Sequence, residues 1–364
     1  RDDLDRIELC ALVKTNNPAQ DIVGFLSTPL NQDDDPLIQL TIFRSQHDTL
    51  CLKANHIVTD AGGVKEYLRL LTSIYRELVR DPEYRPPANL LGRRSHRQIT
   101  ERLSIPAKLR ILLRSVALWR GEMSPSCNWS FPSQGRDLSM RTFLIQRIQP
   151  EAYERIKAYS TLHRCTINDI MTAAFYRAFS QLLRPRHNTP LRLGMTVDLR
   201  RYRPDNAGEA ITNLAALFLL NIGTRIGDSF EETVHLVQQR MNLHKKKHIG
   251  LELTRTSIFN FRWLPFAWGR RLIALVGKMN LLWGPESPPP WVTNMGILKT
   301  EDLSFGDVGV TDAFLTAPVA FPPFFAVGLS GFQNTLTMSA GFCSNSTDPQ
   351  DVKRFFRLVE ENLP

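Results

Sequence analysis

Hydrophobic positions in this chain recur at two different spacings, and the change from one to the other marks its elements. Residues Pro36 to His56 read as a hairpin, in which Leu37-Ile38-Gln39-Leu40-Thr41-Ile42-Phe43 and Thr49-Leu50-Cys51-Leu52-Lys53-Ala54 flank the polar stretch Arg44 to Asp48. Along the second strand Leu50, Leu52 and Ala54 share one face. Period-two alternation carries His56 to that same inward side if the strand continues, with Asn55 pointing the other way. Beyond Gly62 and Gly63 the spacing becomes three and four: Val64, Tyr67, Leu68, Leu71, Ile74, Tyr75 and Leu78 predict an amphipathic helix ending near Asp81-Pro82. The local unit is strand, tight loop, helix.

Farther along, a helical segment is expected around Pro106 to Trp119, followed by a Ser-, Pro- and Gly-rich stretch from Gly121 to Gly135. A domain boundary is expected there, giving domains 1–135 and 136–364. The second half restarts with a strand at Thr142 to Arg147, then helices at Glu151 to Ser160 and Asn168 to Leu183, the latter capped by Thr166 with Asp169 three residues on. A strand at Leu191 to Asp198, a helix from Ser229 to Lys246, strands at Phe324 to Ser330 and Thr335 to Phe342, and a helix at Asp348 to Asn362 complete the pattern. No internal repeat is evident. Strands and helices mixed in both halves predict an α/β fold, or an α+β sandwich.

Composition narrows the function classes. The 364 residues suffice for two cores, and 43% hydrophobic with 22% charged residues is globular. A net charge of +9 favours anionic partners without naming one. Lys245-Lys246-Lys247 reads as a solvated helix face, and no basic-aromatic cluster suggests a nucleic-acid partner. Five scattered cysteines, without CxxC spacing, suggest neither disulfides nor a zinc site and fit a reducing, cytoplasmic setting. No metal is expected. No apolar run approaches the ~18 residues of a membrane span, and the start, Arg1-Asp2-Asp3-Leu4-Asp5, has no signal-peptide pattern. The basic amphipathic stretch Arg262 to Trp283 reads either as a helix over a channel mouth or as a membrane-surface segment, and the first is preferred.

His56 and Asp60 stand four residues apart, between a strand and a Gly-containing helix start. A histidine held by such a backbone suits acid-base work because little ordering remains for the moment of reaction. The spacing alone also fits a strand-end histidine with Asp60 as a helix cap.

The set of segments tips that balance. Asn55-His56-Ile57-Val58-Thr59-Asp60-Ala61 resembles the HHxxxDG motif of the chloramphenicol acetyltransferase-like superfamily, which includes peptide-synthetase condensation domains and free-standing alcohol acyltransferases. Cys165 to Ala174 resembles the family's TvNDvllAA helix, and Val197 to Tyr202 its VDLRRY segment; Ile211 to Leu214 and Thr293 to Gly296 also resemble family positions. Two departures stand out. Asn55 replaces the leading His and Ala61 the Gly, with Gly62 able to supply the turn; and no DFGWG segment is present, Leu303 to Asp307 being near but not a match.

The resemblance implies two similar domains facing one another across a channel, with His56 as general base at its middle and no covalent intermediate. It implies an acyl donor and a small-molecule acceptor entering from opposite sides, with acyl-CoA or a phosphopantetheine thioester as co-substrate and no permanently bound cofactor. Asn294 and Ser330 are candidate oxyanion donors, each also readable as an ordinary structural hydrogen-bonder, and Arg200 or Arg201 is a candidate partner for Asp60. Because family members carry a further strand and helix before the point where this chain begins, the first domain is expected to lack part of its sheet. Three readings follow: a free-standing acyl-CoA-dependent transferase, a condensation-type enzyme served by an acyl carrier protein, and a non-catalytic binding relative.

Overall fold

A computed structural model describes residues 10–30, 36–89, 92–101, 103–121, 129–135, 137–203, 211–246, 248–251 and 288–364, together with residues 268, 271 and 275. The first unit is a three-stranded sheet of β1 (Cys10–Lys14), β2 (Ile38–Arg44) and β3 (Asp48–Ala54), in that order. Strand β1 runs parallel to β2, with helix α1 (Pro18–Ser27) as the crossover, and β2 forms the expected hairpin with β3. Helix α2 (Ala61–Arg80) follows, then α3 (Arg97–Thr100) and α4 (Ile105–Gly121).

The second unit holds a six-stranded sheet, built from β4 (Arg141–Ile148), β5 (Arg192–Asp198), β6 (Ala215–Asn221), β7 (Trp291–Leu298), β8 (Ala326–Phe332) and β9 (Thr335–Cys343) in the order β4-β9-β8-β7-β5-β6. Helix α5 (Pro150–Leu162), α6 (Ile167–Leu183), α7 (Phe230–Lys245) and α8 (Pro349–Glu361) accompany it. Residues of β8 and β9 are buried on both faces almost throughout, as central strands covered on each side must be. The capping box expected at α6 forms: Asp169 N–H donates to Thr166 Oγ1 at 3.1 Å, and Thr166 N–H to Asp169 Oδ2 at 3.0 Å. Behind it, Phe175, Phe179, Phe325 and Phe355 form an aromatic core, with Phe179 and Phe355 stacked 4.1 Å apart.

Trp129 and Phe131 belong to that same core, Phe131 stacking on Phe325 at 3.7 Å. Chain expected to close the first domain therefore packs into the second unit. Helix α2 also crosses between them. Lys65 Nζ donates to the Met295 carbonyl at 2.9 Å, Thr72 Oγ1 to that of Asp302 at 2.9 Å, Tyr75 meets Phe305 edge to face, and Leu68 packs against Leu298, Leu303 and Phe332.

Apart from residues 268, 271 and 275, the stretch Arg262 to Trp283 lies outside the described residues. Among the described residues no helix is long and apolar enough to cross a membrane.

Candidate active site

Strand β3 stops at Ala54, earlier than the inward alternation to His56 requires. Asn55 diverts the chain: its Oδ1 accepts from Ile57 N–H at 3.0 Å, and its carbonyl from Val58 N–H at 3.1 Å, closing a turn over 55–58. His56 therefore sits in a turn with an exposed side chain, rather than on an inward strand face. Its Nδ1 lies 2.9 Å from the Thr59 carbonyl. A carbonyl can only accept, so Nδ1 carries the hydrogen and Nε2 keeps the lone pair in the neutral ring.

Asp60 serves the loop. It caps α2, accepting from Gly63 N–H at 2.8 Å on Oδ1, and takes Leu214 N–H at 2.7 Å on Oδ2. Arg200 Nη1 donates to both oxygens, at 2.9 and 3.0 Å. Of the two arginines considered for this pair, Arg200 makes it, while Arg201 is exposed and lies over the Tyr202 ring.

Arg200 is the hub of a larger cluster. Its Nε donates to Glu66 Oε1 at 3.0 Å, its Nη1 also to Asp198 Oδ1 at 3.2 Å, and its Nη2 to the Thr212 carbonyl at 2.8 Å. Arg203 Nη1 donates to the same Glu66 oxygen at 3.0 Å. Burial alone would lower the Arg200 pKa; the hydrogen bond and charge of Asp60, with the charges of Asp198 and Glu66, reverse this and raise it. The guanidinium passes so close to the start of α2 that a Cβ on Gly62 would overlap Arg200 Nη1 and stand 2.8 Å from Cζ, while one on Gly63 would overlap Thr59 Oγ1 and stand 2.9 Å from the Thr212 oxygen. Both glycines are required by close approach.

Several residues that the sequence reading did not single out complete the site. Asn213 Nδ2 donates to the His56 carbonyl at 2.7 Å, and Arg94 Nη2 to that of Val58 at 3.1 Å. His96, two residues beyond Arg94, feels burial, which lowers its pKa, against the Asp60 charge, which raises it; the net direction is down. Signals existed for some of them. Asn213 lies within the family-like segment Ile211 to Leu214, and Arg203 follows Arg200 by one turn of the 3-10 helix that begins at Leu199. Glu66 lies on α2 one turn beyond Gly62 and Gly63.

The two oxyanion candidates are placed differently. Ser330 is buried, and its hydroxyl accepts from Leu315 N–H at 3.0 Å and donates toward the Leu315 carbonyl at 3.4 Å, which gives it a structural role in pinning that loop to β8. Asn294 is exposed at a bulge in β7; its Oδ1 accepts from Gly296 N–H at 2.9 Å and its Nδ2 donates to Asn168 Oδ1 at 3.0 Å, with a second amide hydrogen beyond that bond. Among the described residues no group of three or more His, Cys, Asp or Glu is placed to hold a metal.

No protein-family model matches the chain, and no curated protein matches it by sequence. Solved structures do match. The epimerization domain from the third module of tyrocidine synthetase B is similar with a TM-score of 0.66 at 13% identity, over 97% of this chain and 78% of that one. The first condensation domain of the CDA synthetase gives 0.64 at 18% identity, over 98% and 74%. Trichothecene 15-O-acetyltransferase from Fusarium sporotrichioides gives 0.68 at 13% identity, over 98% and 76%. With two sheets and nearly the whole chain superposed on condensation, epimerization and acetyltransferase structures, the protein has the chloramphenicol acetyltransferase-like fold that its motifs led us to expect.

Proposed function

We propose that the chain is an acyltransferase that moves an acyl group from a thioester to a hydroxyl or amine, with His56 as its general base. The observation that carries this reading is the 2.9 Å approach of His56 Nδ1 to the Thr59 carbonyl, in a turn whose histidine is exposed: it assigns the hydrogen to Nδ1 and leaves Nε2 free to take a proton. In the proposed reaction Nε2 removes the acceptor's proton as its oxygen or nitrogen attacks the thioester carbonyl. The tetrahedral intermediate then collapses, the carbon–sulfur bond breaks, and the imidazolium returns the proton to the departing thiolate. The enzyme needs no covalent intermediate. Asp60 and Arg200 act as positioning residues, holding the turn rather than the ring. Asn294, through its second amide hydrogen, is proposed for the oxyanion, a role worth about 3 kcal/mol at best.

Donor and acceptor are proposed to reach His56 from opposite sides of a channel between the two sheets. We assign the donor to soluble acyl-CoA. Basic residues are dispersed in short groups, Arg93-Arg94, Arg200-Arg201 and Arg270-Arg271, rather than gathered in the broad patch a carrier protein needs. Arg200 is occupied by carboxylates, whereas Arg94 is exposed and donates to the Val58 carbonyl in the turn that bears His56, which makes it our candidate for a phosphate contact.

The test is thiol release from a panel of acyl-CoA donors with alcohol and amine acceptors, compared with the same acyl groups on a phosphopantetheinyl carrier. Turnover with acyl-CoA is expected, with an apparent KM that rises as salt screens the phosphates. Turnover with the carrier alone would reassign the chain to the condensation type. His56→Ala is expected to slow the chemical step at least ~100-fold at unchanged melting temperature, and near wild-type turnover in that variant would remove His56 from its role.

A further inference from the structure

Helix α4 has a seated side and a free side. Ile111 is 1% exposed and packs with Ile99, Leu199, Leu214, Ala216 and Leu251. Ile105, Leu109, Leu112 and Leu113 are exposed, from 39% at Leu112 to 81% at Ile105. Their spacing gathers them into one stripe, and at about 100° per residue its centre lies roughly 150° around the helix from Ile111. The aliphatic stripe thus faces away from the protein. Lys108 falls at one border of the stripe and Arg110 at the other, and the helix also carries Arg114 and Arg120 with no Asp or Glu.

A surface helix ordinarily turns its apolar side to the core, so large aliphatic groups directed outward mark an interaction site. We propose that α4 docks on an anionic membrane surface, with Ile105, Leu109, Leu112 and Leu113 among the acyl chains and the border residues Lys108 and Arg110 at the level of the lipid phosphates. Charge selects this occupant. A second copy would set one basic helix against another, whereas an anionic bilayer offers apolar depth and negative charge together. The same chemistry recurs at three other residues: Trp268 and Leu275 are each more than half exposed, and the Arg271 guanidinium lies over the Trp268 ring at 6.0 Å. Tryptophan beside a cation suits the headgroup layer. Acyl transfer is not a premise of this inference, so vesicle binding can test it without turnover.

The full chain is sedimented with vesicles of phosphatidylcholine, alone or mixed with phosphatidylglycerol. Binding to the mixed vesicles is expected to be at least about tenfold tighter and to weaken with salt. Leu109→Glu with Leu113→Glu should abolish it. Arg110→Glu, which keeps the stripe and reverses charge at its border, should reduce it severalfold. All three positions are exposed, and an unchanged melting temperature confirms that the variants fold. Absence of vesicle binding, or equal binding by the leucine double variant, would overturn the proposal. So would a dimer, or a complex with an acidic carrier protein, that the double variant dissolves while vesicles do not bind; the stripe would then belong to that partner.

Discussion

The side-chain amide of Asn213 donates to the main-chain oxygen of His56 at 2.7 Å, while its own carbonyl oxygen takes the Ala215 N–H at 3.1 Å. Asn213 stands just before β6, so the turn that bears the histidine hangs from the edge of a sheet to which it does not belong. Removing this donor with Asn213→Ala should cost about 1 kcal/mol of positioning, or roughly a fivefold fall in kcat with KM little changed. Asn213→Asp, which sets an acceptor against a carbonyl, should fall further. Single-turnover thiol release measures both; a lowered melting temperature with unaltered kcat would assign Asn213 to folding alone.

Arg200 is the residue whose loss should be felt most in stability. It is 13% exposed in its side chain and faces Asp60, at 5%, along with Glu66. Arg200→Met leaves Asp60 buried without its cation, while Glu66 keeps Arg203, an expected loss of about 3–5 kcal/mol. Arg200→Lys should fall between, because a single ammonium cannot replace a fork that reaches Asp60, Glu66 and the Thr212 carbonyl together. Denaturant unfolding gives the order; a Met variant as stable as the parent would show the cluster to be energetically neutral.

Three glycines offer an internal comparison. Gly62→Ala and Gly63→Ala would drive a methyl into Arg200 or into Thr59 and the Thr212 oxygen, with an expected loss of about 1–3 kcal/mol each and a matching drop in turnover. Gly24→Ala, on α1 with nothing within 4 Å of the added carbon, should instead stabilise by about 0.5–1 kcal/mol. Equal effects at all three sites would remove the close-approach argument.

Thiol labelling reports on the first unit. Burial pushes the Cys51 thiol up to about 11, while Cys10 on β1 is exposed. At pH 8 only about one Cys51 in a thousand is a thiolate, so an alkylating reagent should modify Cys10 well before Cys51. Mass-mapped labelling of the folded chain checks the order, and rapid Cys51 modification would mean that β3 is less covered than the structure has it.

Period and capping were enough to find β2, β3, α2, α5, α6, α7, α8 and the final hairpin. Strand β7 escaped because Asn294 and Gly296 interrupt its alternation at a bulge where Gly296 takes a φ of +77°. Strand β6, Ala215–Asn221, has an almost unbroken apolar sequence, which carries no period to distinguish strand from helix. His56 and Asp60 were visible through their motif. The orientation of His56 was not, because a side-chain turn at Asn55 overrides strand alternation. Asn213 and Glu66 stood in marked places, one inside a family-like segment and one a turn beyond the glycines, but their roles were not legible: each is defined by a partner more than a hundred positions away, and no local pattern encodes that pairing.

That separation bears on how chains of this fold can be recombined. The segment from Asn55 to Gly63 carries the proposed base, but Arg200, the Thr212 carbonyl, Asn213 and the Leu214 N–H, which fix its shape, arrive from the other half. A chimera that exchanges first halves between two homologues inherits a histidine with a foreign brace. Crossover points should therefore be chosen so that 55–66 travels with 198–214, even though a hundred and more intervening residues lie between the two blocks.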